Sequence, residues 1–157
     1  MIMMNGDKKI SELLDSYKKP LKKLFKYDKS KALTFDKESR SKVENEKGIF
    51  VIFNNKKPIF VGQAGGFMTG YKLTQKDLND KLGQFNLKSD AGTTKFRKAF
   101  SAQQNLDETE QQNIKAETYN LKFQYIKVKE NPAMINILEL LAMEYAKDNE
   151  IELYNFL

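Results

Sequence analysis

Cysteine, histidine and tryptophan are absent from this sequence, and proline occurs only three times. Without cysteine there is no disulfide framework and no thiolate nucleophile. Without histidine there is no imidazole acid–base chemistry, and without either residue no zinc finger. Catalysis is left to carboxylates, Lys, Arg, Tyr or Ser, with a hard cation such as Mg²⁺ on oxygen ligands as the inorganic helper that such side chains suit. No apolar run approaches the roughly 20 residues that cross a bilayer. Met1-Ile2-Met3-Met4 is too short for a signal-peptide core, and polar Asn5-Gly6-Asp7 follows it. The expectation is a cytoplasmic protein with no membrane partner.

The chain has 157 residues, of which 40% are hydrophobic, enough for one core and hardly for two. Its formal net charge is +6, with a pI near 9.3. Such a balance suits a polyanion, DNA above all, although a solvated lysine-rich surface gives the same count. Residues 7–27 carry Ile10, Leu13, Leu14, Tyr17, Leu21, Leu24 and Phe25 at helical spacing, with Asp7 placed to cap the helix and Pro20 to kink or restart it. Beside that apolar stripe run Lys18, Lys19, Lys22, Lys23 and Lys26, a candidate phosphate-contacting face.

The clearest β signal is Gly48-Ile49-Phe50-Val51-Ile52-Phe53, followed by a turn at Asn54-Asn55-Lys56-Lys57 and a second run, Pro58-Ile59-Phe60-Val61-Gly62. Residues 65–70 read as a flexible glycine-rich loop. A helix capped by Thr74 is expected to reach about Gln84, with Leu78, Lys81, Leu82 and Phe85 along one side. Another spans Thr94 to about Gln104, with Phe96, Ala99 and Phe100 inward and Lys95, Arg97 and Lys98 outward as further phosphate contacts. Residues 107–117 suggest one more short helix. Tyr119–Val128 alternates as a strand, and Asn131-Pro132 opens a long helix whose expected buried stripe is Met134, Ile137, Leu138, Leu141 and Tyr145. On that helix Glu139 has Ile135, Ala142, Met143 and Ala146 as same-side neighbours. A carboxylate so surrounded is costly unless it is paired or holds a metal.

In order and spacing these segments resemble the GIY-YIG nuclease domain over residues 43–157, with residues 1–42 as a basic helical extension packed on it. Gly48-Ile49-Phe50 stands where the family has Gly-Ile-Tyr, and Phe60-Val61-Gly62 where it has Tyr-Ile-Gly, with Gln63 next to it as a nucleic-acid contact. Lys81 stands for the family's Arg, Phe85 for its His or Tyr, Glu139 for its metal-binding Glu, and Asn155 for its closing Asn. The resemblance implies an α/β fold of α+β type: a small three-stranded antiparallel sheet flanked by helices. It also implies Mg²⁺- or Mn²⁺-assisted phosphodiester hydrolysis with Glu139 as metal ligand.

Both signature tyrosines are phenylalanines here. Phe50 and Phe60 keep the ring but have no hydroxyl to relay a proton, a loss that typically costs ~10²–10⁴-fold. Lys81 keeps the charge of Arg but not its bidentate fork. Tyr71 is the residue placed to supply a hydroxyl from a different position. Three readings follow. The first is a nucleic-acid-binding protein with a degenerate site. The second is an active endonuclease with Tyr71 as relocated catalytic Tyr. The third is a protein-binding inhibitor or regulatory subunit derived from a nuclease, favoured by the acidic Glu144, Asp148, Glu150 and Glu152 near the end of the chain.

Overall fold

A computed structural model describes residues 5–69, 72–73, 75–88 and 92–157, except the side chains of residues 5–7, 9, 10 and 69. Strands β2 (Gly48–Asn54) and β3 (Lys57–Ala64) form the expected hairpin. Asn55 and Lys56 turn it with positive φ, 50° and 69°. That is the geometry of a two-residue type I′ turn, whose twist matches the strands it joins. Strand β6 (Lys122–Lys127) lies antiparallel on the other side of β2. Beyond it the two-residue β1 (Leu33–Thr34) pairs with Phe123 and Lys122. The sheet order is β1-β6-β2-β3. The expected three strands are thus four, because β1 is too short to show an alternating pattern, and it comes from the segment read as an extension.

Every residue from Gly48 to Phe53 is buried, since helices cover both faces of the sheet. One face is aromatic. Phe50, Ile52, Ile59 and Phe123 meet Phe35, Leu78 and Leu82 of α3 (Leu78–Gly83), Phe85 just after it, and Phe96 and Phe100 of α4 (Thr94–Gln103). The other is mainly aliphatic. Ile49, Val51, Phe53 and Val61 meet Leu24 and Phe25 at the end of α1 (Asn5–Leu24) and Met134, Ile135, Leu138, Ala142 and Ala146 of α5 (Pro132–Asp148). Each such side chain contributes about 1.5–3 kcal/mol on burial.

Two glycines of the motif have packing reasons. A Cβ on Gly48, at φ +157°, would stand 1.9 Å from the Ile126 carbonyl oxygen of β6. A Cβ on Gly62 would stand 2.3 Å from Cζ of Phe50, its cross-strand partner, whose ring lies over it.

Several sequence expectations need correction. α1 already includes Asn5 and Gly6, so Asp7 lies inside it rather than at its cap, and the helix continues through Pro20 without a restart. The α5 stripe is rotated toward Ile135 and Ala142, leaving Ile137 and Leu141 about two-fifths exposed (42% and 39%). Periodicity located the apolar arc of α5 but not which part of it meets the sheet. Part of the glycine-rich loop forms a small ribbon, Phe67–Thr69 with Lys72–Leu73. Within 107–117 the helix is six residues of 3₁₀, Glu108–Asn113. Asp77 caps α3 in a reciprocal box with Asp80, and Thr74 lies outside the described residues. Among the described residues no helix is long and apolar enough to cross a membrane.

Candidate functional site

Glu139 sits in the middle of α5, which packs along β3 and β2, with buried Ile135 and Ala142 one turn away on either side. Burial pushes its carboxyl up to about 7, and the Lys81 ammonium opposes part of that rise. Lys81 comes from α3, held there by the Asp77–Asp80 capping box. Burial holds Lys81 below the usual lysine range, repulsion from Lys76 adds to this, and Glu139 works against it. The ammonium donates to the Gly92 carbonyl at 3.1 Å. Glu139 and Lys81 therefore feel each other's charge without forming an ion pair. A carboxyl titrating near neutrality must lose a proton before it can hold a cation. Among the described residues no three acidic side chains gather into a metal-ligating group. Glu139 is the one carboxylate that the resemblance offers to a Mg²⁺ or Mn²⁺ ion, whose remaining ligands would be water and phosphate oxygens.

Phe50 is fully buried, and Phe60 is partly so. Phe60 contacts Phe85 and Phe96 edge-on, with ring centroids 6.2 and 5.4 Å apart, and Phe50 meets Phe85 at 6.0 Å. Edge-to-face pairs of this kind are worth about 0.5–1.5 kcal/mol each. Where the resemblance calls for proton-relaying hydroxyls, the protein has a hydrocarbon cluster. Tyr71, the expected substitute, lies outside the described residues. Tyr154 brings a phenol to the same cluster, its ring 5.9 Å from that of Phe96, and burial raises its pKa.

Asn155 closes the edge of β3. Its Oδ1 accepts from the Val61 N–H at 2.9 Å and its Nδ2 donates to the Val61 carbonyl at 2.8 Å. Lys95, expected to meet phosphate, donates to the Asn155 carbonyl at 2.6 Å. Gln63 accepts from the Gly66 N–H at 2.9 Å. Asn136, which the sequence did not single out, repeats the Asn155 device by bonding both the N–H and the carbonyl of Phe67, at 2.7 and 2.9 Å.

Arg97 is the largest correction. Expected outward as a phosphate contact, it is 1% exposed. Its guanidinium donates to Thr93 Oγ1 at 2.7 Å, and to the carbonyls of Gln84 at 3.0 Å, Ile114 at 2.5 Å, Gln111 at 3.3 Å and Leu87. A charge is tolerated in the core only with such a shell, and here it ties α4 to the loops on either side. Lys98 remains exposed, as do Lys18, Lys19, Lys22, Lys23 and Lys26. Of these, Lys19 and Lys23 lie beside β6, at the far side of the sheet from β3, while Lys18 and Lys22 stand on a neighbouring stripe of α1, a helix that also packs on α5. Glu139 and Lys81, by contrast, belong to helices that contact β3. No family model, curated protein or solved structure matches this chain.

Proposed function

We propose that the protein binds nucleic acid through the lysine face of α1, on a fold akin to the GIY-YIG nucleases, with a phosphodiesterase site that is weak or inactive. The observation that carries this reading is the separation of charge from chemistry. The lysine-bearing helix packs at the β6 end of the sheet, whereas the half-buried carboxylate that the resemblance points to sits on α5 with one lysine, Lys81, as its electrostatic neighbour, and Phe50 and Phe60 bring no hydroxyl. A phosphate backbone held by Lys18, Lys22 and their neighbours is not thereby presented to Glu139. The lost hydroxyls, the missing guanidinium fork and the near-neutral carboxyl all act in the same direction, against cleavage.

The test is fluorescence anisotropy of a labelled 20-base-pair duplex across a salt series. Binding at low salt should weaken linearly on a log–log plot, with a slope of about −0.9 per phosphate neutralised. Lys18→Glu with Lys22→Glu should weaken binding and make the slope shallower by about 2. No binding at low salt, or a slope unmoved by that pair, overturns the reading.

A further inference from the structure

The outer edge of β6 is half unpaired. β1 covers only Lys122 and Phe123, so among the described residues no strand neighbours Gln124–Lys127 on that side. In an antiparallel strand alternate residues direct N–H and C=O to each side, which leaves a row of backbone donors and acceptors facing outward. A groove of about 680 Å³ lies along this edge. Its walls are Pro20 and Leu24 of α1, Leu33 at the end of β1, and Tyr125 and Ile126 of β6. Lys19, Lys23, Lys31, Lys42 and Lys127 surround it, and among the described residues no acidic side chain lines it. The groove's one ion pair among the described residues is Lys127 with Glu46, at 3.4 Å.

We infer that this groove is a docking site for an extended acidic peptide segment of a partner protein, which adds to the sheet as a strand beside β6 where β1 stops. The unpaired backbone row supplies main-chain hydrogen bonds, the mode of recognition in strand addition. At about 3.3 Å per residue the four open positions accommodate a segment of roughly four residues. The strand pleat turns alternate partner side chains to opposite faces, so apolar residues meet Leu24 and Ile126 while carboxylates reach the lysine ring. That charge rules against a second copy of this chain, whose own edge would bring the same lysines. Nucleic acid has no use for the backbone row, and Tyr125 is the single aromatic residue lining the groove on which a base could stack. The site is also separable from the nucleic-acid face. Lys19 and Lys23 line the groove, whereas Lys18 and Lys22 do not. The two pairs form stripes about 100° apart around the helix.

The experiment is a ¹⁵N–¹H NMR titration of the full chain at low salt with three probes: a blocked hexapeptide of alternating Glu and Val, the same peptide N-methylated at alternate residues, and a dT12 oligonucleotide. The Glu-Val peptide should shift the amides of Gln124–Lys127 and slow hydrogen exchange at the alternate ones that face away from β2, Tyr125 and Lys127, and N-methylation should abolish both effects. Lys23→Glu with Lys31→Glu, both at exposed positions, should weaken the peptide by about two- to thirtyfold, given about 0.2–1 kcal/mol for each exposed pair. Their own spectra report that the variants are folded. Equal binding of the N-methylated peptide overturns the strand-addition inference, since charge alone would then account for binding. So does the absence of shifts with the Glu-Val peptide, or displacement of the peptide from these amides by dT12.

Discussion

The two edges of the sheet are finished in opposite ways. Along β3, the Asn155 side chain takes both the N–H and the carbonyl of Val61, and Asn136 does the same for Phe67 just beyond the strand's end. Along β6, the backbone past Phe123 meets no strand among the described residues and is ringed by lysines. Exposed strand edges invite pairing with other chains. One edge is sealed by side-chain amides acting as a substitute strand. The other is guarded by charge of one sign, which repels copies of itself while remaining open to a chain of the opposite charge. Glu139 sits on α5, a helix that packs along β3, and no acidic residue among those described lines the basic groove beside β6. Nuclease chemistry would need both at one place.

The strongest way to break this comparison is to disturb the strand that holds both edges. Gly48→Ala puts a methyl group 1.9 Å from the Ile126 carbonyl, which forces β2 and β6 apart. The expected loss is at least about 3 kcal/mol in urea unfolding, and a variant as stable as the wild type would refute the packing reason given for this glycine.

Glu139→Gln acts at the closed side and depends on pH. The carboxyl titrates at about 7 in the fold against an ordinary 4.5, so the folded state disfavours its charged form. Its contribution is fully present below pH 4.5 and is lost as pH rises through 7. The glutamine variant should therefore match the wild type near pH 4 and exceed it at pH 8 by about 1–3 kcal/mol, since each pKa unit is worth about 1.4 kcal/mol. Thermal melts at the two pH values check this, and a pH-independent difference would contradict it.

Asn155→Ala removes the seal alone. The expected cost is about 1–2 kcal/mol for two lost hydrogen bonds that water can partly replace. Hydrogen exchange should quicken at the Val61 amide and stay unchanged at Gln124–Lys127. Equal acceleration at both edges would show that they are not built independently. The smallest effect is at the turn. Lys56→Gly relieves a lysine at φ 69° and should stabilise the hairpin by about 0.5 kcal/mol, the left-handed conformation being cheap for glycine alone. Unchanged or lowered stability would deny the strain.

Much of this was legible where a pattern has one physical cause. The hairpin followed from two β-branched and aromatic runs around Asn55-Lys56, β6 (Lys122–Lys127) from the alternation over Tyr119–Val128, and the α5 start from Asn131-Pro132. What stayed hidden depends on contacts distant in sequence. Arg97 looks like any helical cation until four backbone carbonyls converge on it. Asn155 reads as a candidate site residue, and only the fold shows that its side chain bonds Val61, while Lys31, Lys42 and Lys127 are scattered in the sequence but share one groove. Glu139 lies between these cases. Helical spacing indicated its apolar surroundings, but only the packing of α3 shows Lys81 as its electrostatic neighbour.

The most direct test of separated binding and chemistry is incubation of supercoiled plasmid with the purified protein in Mg²⁺ and then Mn²⁺, beside Glu139→Gln, with the products resolved after protein removal. The account predicts intact supercoiled plasmid at protein concentrations that retard the same DNA before protein removal. Nicked circles formed by the wild type and lost in Glu139→Gln would contradict it.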